Sequence, residues 1–193
     1  MDSRDRRLAL IKGRFCAALV ESVFCSAGYT ISRVGREASV ARLMKIGCDD
    51  FLPDFLAWRA VGRVLPLELH QFLAIEIKYR ADLRQFLRRE APACLSMLKE
   101  RWPRFYIVLV TDAPQAGRSC FQTICVRDYI AHAEVVTKDL HELGHLGIYR
   151  STIEWHEALA QPLFATLNAS APRTQPLRRT RRSVHSVVRA LNA

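Results

Sequence analysis

Three residues near the middle of the chain have the types and spacing to do chemistry. The stretch FLAIEIKYR, residues 72–80, sets Glu76 and Lys78 two positions apart among apolar neighbours. On a β-strand successive side chains alternate faces, so Glu76 and Lys78 share one face and Ile75 and Ile77 the other. The preceding apolar segment carries Pro53, Asp54 and Phe55 in succession. If the two segments pair as neighbouring strands, Asp54 lies beside Glu76. Converging carboxylates repel each other, and a bound divalent cation relieves the repulsion; oxygen ligands suit Mg²⁺ or Mn²⁺. A metal held there would polarise a phosphoryl oxygen and acidify a bound water. Lys78 would stabilise the charge developing on the phosphate or orient the attacking water. The chemistry so described is metal-assisted phosphodiester hydrolysis. The plainer alternative is a solvated salt-bridge cluster on a half-buried sheet.

A rival motif lies further on. HELGH, residues 141–145, matches the HExxH pattern. On an α-helix His141 and His145 would share a face and bind Zn²⁺, with Glu142 as the general base of a peptidase. Three features oppose this. Gly144 falls inside the required helix, Lys138 and Asp139 lead into it, and no third ligand stands at a diagnostic spacing. Glu154, His156 and Glu157 are the remaining candidates. The alternative is a surface helix that turns Leu140, Leu143 and Leu146 toward the core.

The elements that must position these residues follow from periodicity. Residues 6–27 read as a helix, with Phe15, Leu19 and Val23 recurring at i+4 and Gly28 as the stop. Strands are expected at 29–35, 49–60 and 71–79, with Pro53 suggesting a bulge or an edge in the second. Residues 36–47 allow a short helix. Residues 81–102 are helical in composition, and Pro92 must divide them. The nearly continuous apolar run 104–112 suits a strand covered on both faces. A further strand is expected at 119–129 and helices at 137–146 and 152–167, with Thr137 and Ser151 or Thr152 as N-caps. Asp112, beside Pro114 and Gly117, reads as a turn residue. The order is helix, three strands, helix, two strands, helices: an α/β chain with a mixed central sheet flanked by helices.

With its elements in this order, the chain resembles the PD-(D/E)XK nuclease superfamily, whose fold is restriction-endonuclease-like. The resemblance rests on PDF, on IEIKYR in the next strand, on KGRFCAALVESVFCSAGYTISRVGRE as first helix and strand, and on YIVLVTD as the later central strand. It spans roughly residues 12–127. Asp54 matches the motif Asp, Glu76 the second acid and Lys78 the motif Lys. The resemblance implies that Asp54, Glu76 and the Ile77 carbonyl hold the metal. Many members carry a Glu on the first helix; here Ala17 occupies that place, and Glu21 is the nearest substitute, one turn on.

Charge and composition bound the partners. The chain has 193 residues, half of them hydrophobic, and a formal net charge of +10. Length and apolar content suit one domain over 1–167. Residues 168–193 form a basic tail that contains Arg173, Arg178, Arg179, Arg181, Arg182 and Arg189 and no acid. Such a tail attracts polyanions. Arg80 and Arg84 follow the acidic strand and could contact phosphates. No long uncharged apolar run predicts a membrane span, and the N-terminus does not read as a secretory signal. The six cysteines form no CxxC pair, which suits reduced residues of an intracellular, cytoplasmic protein. The expectation is a Mg²⁺- or Mn²⁺-dependent endonuclease acting on DNA, with a homodimer or a separate targeting subunit for specificity. A nuclease fold that only binds nucleic acid or a partner, and the zinc peptidase, are the alternatives.

Overall fold

The computed structural model describes residues 3–34, 53–64, 67–99, 104–132 and 134–169. The first helix, α1 (Ser3–Ser26), buries Cys16, Leu19, Val20, Val23 and Phe24, a stripe at three- and four-residue spacing. Gly28 ends it at φ 82°, and the Tyr29 amide turns back to the Phe24 carbonyl at 3.0 Å.

Among the described residues six strands form one sheet in sequence order: β1 (Thr30–Arg33), β2 (Phe55–Val64), β3 (Leu67–Tyr79), β4 (Phe105–Val110), β5 (Phe121–Cys125) and β6 (Lys138–Asp139). Neighbours are antiparallel except β3 and β4, which are parallel. A parallel pair needs a crossover, here made by α2 (Leu83–Arg89) and α3 (Ala91–Leu98). Asp82 caps α2 by accepting from the Gln85 amide. Pro92 sits in the first turn of α3, where its missing N–H costs nothing. The division expected of 81–102 is therefore realised at Glu90.

Helices cover both faces. On one side α1 and α5 (Arg150–Ala169) pack with Ile75, Tyr106, Val108, Val110 and Phe121. On the other, α2, α3 and α4 (Val126–His132) pack with Ala74, Ile107, Leu109 and Ile124. Every residue of β4 is buried, which is why its sequence does not alternate. The chain is thus mixed α/β with a six-stranded mixed sheet between helical layers.

Beyond Trp58 of β2 and before Ala74 of β3, the two strands pair only with each other among the described residues. They form a two-stranded ribbon that projects past the sheet, with a register shift between Ala60 and Gly62. Val61, Val64, Leu67, Leu69 and Phe72 on it are exposed.

Several expected boundaries move. β2 begins at Phe55, not 49, and lies between β1 and β3, so Pro53 precedes an internal strand instead of marking an edge. The strand also runs past residue 60, through Gly62 to Val64. β5 stops at Cys125, and Val126 opens α4 where strand was expected to 129. No α-helix forms over 137–146: β6 is followed by 3-10 turns at Leu140–Glu142 and Gly144–Leu146. The backbone leaves the helical region at Leu143 (φ −81°, ψ 80°), which stops the first turn from propagating. Asp139 and Glu142 cap each other's backbone, and the Asp139 carboxylate also accepts from Arg118 and the Ser119 amide. Thr137 is accordingly no N-cap, and Ser151 and Thr152 lie inside α5. Residues 36–47 and the tail from 170 onward lie outside the described residues.

The described cysteines are free, with Cys16, Cys120 and Cys125 buried. Burial, helped by Asp112, pushes the Cys16 thiol up to about 12, so it supplies no thiolate nucleophile. No helix among the described residues is long and apolar enough to cross a membrane.

Candidate metal centre

Phe55 of β2 pairs with Ile75 of β3. Continued by one residue, that register sets Asp54 against Glu76; by two, it sets Pro53 against Ile77. The Asp54 carbonyl accepts from the Val34 amide at 3.0 Å, which pins the start of β2 to the end of β1. Its carboxylate Oδ2 accepts from the Ile77 amide at 2.8 Å. Lys78 Nζ donates to Glu76 Oε1 at 3.0 Å. The Lys78 and Glu76 side chains are only 18% and 15% exposed.

Pro53 explains the local backbone. Odd-numbered residues of β3 turn their N–H and C=O toward β2, while the Arg80 amide bonds Val110 of β4 at 3.0 Å. The residue facing Ile77 would complete the ladder with a donor and an acceptor. Proline has no donor, so β2 offers the Ile77 carbonyl no hydrogen bond. The Ile77 amide takes the Asp54 carboxylate instead. The Ile77 carbonyl is thereby directed to the same side of β3 as the Asp54 carboxylate.

The electrostatics are those of two acids sharing one site. Burial, then the neighbouring Asp54 carboxylate, raises Glu76 above the usual carboxylate range, and Lys78 opposes the rise. The two carboxyl groups are close enough to hydrogen-bond when one is protonated. Two carboxylates and a backbone carbonyl are hard oxygen donors, the set that suits Mg²⁺ or Mn²⁺. Among the described residues no three His, Cys, Asp or Glu side chains gather to hold a metal, so any ion here would lean on the carbonyl and water as well.

The other candidate residues disperse. Glu21 pairs with Arg33 of β1 and is not among the charges acting on Glu76. Arg80 donates to Glu90 at 2.8 Å and lies over the Phe86 ring, so it braces α2. Arg84 is exposed on α2. Arg178, Arg179, Arg181 and Arg182 lie outside the described residues. The HExxH residues do not share a helical face, because 141–145 is not α-helical. His145 Nε2 shares a 2.8 Å hydrogen bond with the Tyr106 hydroxyl, and Glu142 accepts from the Asp139 amide. The proposed third ligands are also engaged. His156 donates from Nδ1 to the Thr152 carbonyl and accepts the Ser22 hydroxyl at Nε2. Glu157 takes the Ser119 hydroxyl and the Cys120 amide, and Glu154 pairs with Arg150.

One cluster escapes sequence reading. Lys12 Nζ, 6% exposed, donates to Asp112 at 2.9 Å, to the Tyr79 hydroxyl at 2.8 Å and to Asn168. It ties α1, the ends of β3 and β4, and α5 together. Burial alone would raise the Asp112 carboxyl, but hydrogen bonds from Lys12, Asn168 and Tyr79 lower it below its usual range. Asp112 is therefore a buried anchor and not a simple turn residue. Tyr79 follows Lys78, so the anchor fixes the strand end that carries the ammonium.

No protein-family model, no curated protein and no solved structure matches the chain.

Proposed function

We propose that the chain is a divalent-metal-dependent endonuclease hydrolysing phosphodiester bonds in DNA, with a restriction-endonuclease-like fold of the PD-(D/E)XK kind. The observation that carries this reading is the convergence of Asp54 with Glu76 at the β2–β3 rim, with Lys78 Nζ 3.0 Å from Glu76. The order of α1, three strands, crossover helices and a buried parallel strand supports it.

In this reading Asp54, Glu76 and the Ile77 carbonyl would hold Mg²⁺ or Mn²⁺, which would supply charge neutralisation at the phosphate and a more acidic bound water. Asp54 keeps the rim open by holding the Ile77 amide. Glu76, buried beside another acid, is stabilised as an anion when a cation shares the site. Lys78 stabilises the charge that builds on the phosphoryl oxygens. The net charge of +10 supplies affinity independent of sequence. A homodimer or a separate subunit supplies targeting, and the reduced cysteines suit action in the cytoplasm.

The test is nicking of supercoiled plasmid with Mg²⁺ or Mn²⁺. Glu76→Ala and Lys78→Ala should each slow it by about a hundredfold or more. Variants that cleave as fast as the parent would remove the site; a parent that binds DNA without cutting would leave a binding protein in a nuclease fold.

A further inference from the structure

The face of the sheet that carries Glu76 continues past the metal centre. Leu56 pairs with Ala74 on it and Trp58 with Phe72, while Phe55, Ala57, Leu73 and Ile75 are buried in the α1 cluster on the other face. Helices cover only part of the Glu76 face. The α2–α3 cluster includes Ala74 but no residue of β1, and it reaches β2 only at Leu56. Toward the ribbon the face therefore stays open among the described residues: Thr30, Ala60, His70 and Phe72 are exposed, and Ser32 and Trp58 half-buried.

The open part is aromatic. Trp58 and Phe72 oppose each other across the two strands, their ring centroids 6.4 Å apart and their planes 23° from parallel. His70 continues the row, 6.2 Å from Phe72. A cross-strand pair gains from its own contact, but Phe72 is 64% exposed, so most of its apolar area stays in water. Such a ring is a surface on which another flat ring can stack. Thr30 and Ser32 of β1, opposite Trp58 and Leu56, add hydroxyls of the kind that hydrogen-bond phosphates. Away from the metal centre the one acid of β1–β3 on this face is Glu68, engaged by Arg63 at 3.1 Å.

Placement and charge name the occupant. Phe72 precedes Glu76 by four residues, about 13 Å along an extended strand, a span of very few nucleotides. The net charge of +10 draws a polyanion to the molecule. Inside a duplex the flat face of a base is covered by its neighbours, so only an unpaired, unstacked base can offer it to an aromatic side chain.

We propose that Trp58 and Phe72 stack an unpaired base of the strand that meets the metal centre, and that the substrate is DNA with a single-stranded stretch beside the scissile phosphate. The proposal deepens the nuclease reading and rests on it for the cut; the stacking itself needs no metal.

The test is fluorescence anisotropy of a short dye-labelled single strand, and of the same sequence as a blunt duplex, with the full chain at low salt in metal-free buffer. The single strand should bind more tightly. Phe72→Leu keeps an apolar side chain without a ring and should weaken single-strand binding about tenfold. Phe72→Tyr should retain it, and neither variant should change duplex binding. Leu69→Ala, on the ribbon's other face, should bind as the parent does. With Mn²⁺, Phe72→Leu should raise KM for the single-stranded substrate and leave kcat in place. Equal binding of single strand and duplex overturns the proposal, and so does single-strand binding that Phe72→Leu leaves unchanged. A Phe72→Leu protein that melts lower but binds as before would reduce the aromatic pair to a cross-strand clamp. In each of these cases plasmid nicking that is lost in Glu76→Ala still upholds the metal centre. Ring-dependent single-strand binding by a parent that cuts no DNA with Mn²⁺ would keep the stacking surface and overturn the nuclease reading, with the cut it assigns.

Discussion

Glu76 is held in a place where its charge is disfavoured. Its folded pKa lies above the ordinary carboxylate value because it is buried and faces Asp54. The native state therefore holds that proton more tightly than the unfolded chain does. Stability falls as pH rises from the usual carboxylate range through the raised value, and levels off above it. Glu76→Gln removes this term. In metal-free buffer the variant should melt above the parent at neutral pH, and the gap should close toward the acid end. Mn²⁺ should raise the parent's melting temperature and leave the variant's unchanged. A parent that loses no stability relative to the variant between acid and neutral pH would contradict the electrostatics described. The three residues of this site were legible because a strand repeats every two residues and the partner acid lies in the adjacent strand. The Lys12 cluster was not: its partners are 67, 100 and 156 residues away, and nothing local marks Asp112 as one of them. HELGH failed for a related reason. Its spacing has meaning only on an α-helix, and the backbone leaves the helical region at Leu143, between the two histidines.

Among the elements, the start of β2 matters most to the centre. Pro53 was read as a sign of a bulge or an edge; the strand is internal, its register shift falls at Ala60–Gly62, and the proline's effect falls on the neighbour's carbonyl. Pro53→Ala restores a donor opposite Ile77. β2 should then extend by a residue pair, and Mn²⁺ should bind about fivefold more weakly, the equivalent of one net hydrogen bond of about 1 kcal/mol. Calorimetry checks the affinity, and slowed amide exchange at residue 53 checks the cause. Unchanged metal affinity would mean that the Ile77 carbonyl is not a ligand. Strand and helix identities near the sheet centre could be read because burial on both faces, or on one, writes distinct patterns. The ends could not: Val126 is as apolar as the strand before it, and it opens α4 buried in one cluster with Ala91, Leu95 and Leu98 of α3.

For the whole molecule, charge is the property that reaches furthest. Residues 170–193 carry six arginines and no acid, a share of the net +10 large enough to govern polyanion binding. Deleting them should weaken DNA binding at low salt and flatten its salt dependence by up to about five in the log–log slope. The unfolding temperature of the remainder should not move, because the described helical layers cover both faces of the sheet without the segment. Equal affinity with and without the segment at low salt would exclude it from binding. The ribbon formed by Arg59–Val64 and Leu67–Leu73 has a different consequence, for handling the protein at high concentration. Both its edges lack a neighbouring strand among those described, and Val61, Val64, Leu67 and Leu69 face outward. Such an edge is a template for uncontrolled strand-to-strand stacking, so turbidity in concentrated stocks should begin there. Leu69→Lys should delay the onset of light scattering without shifting the melting point.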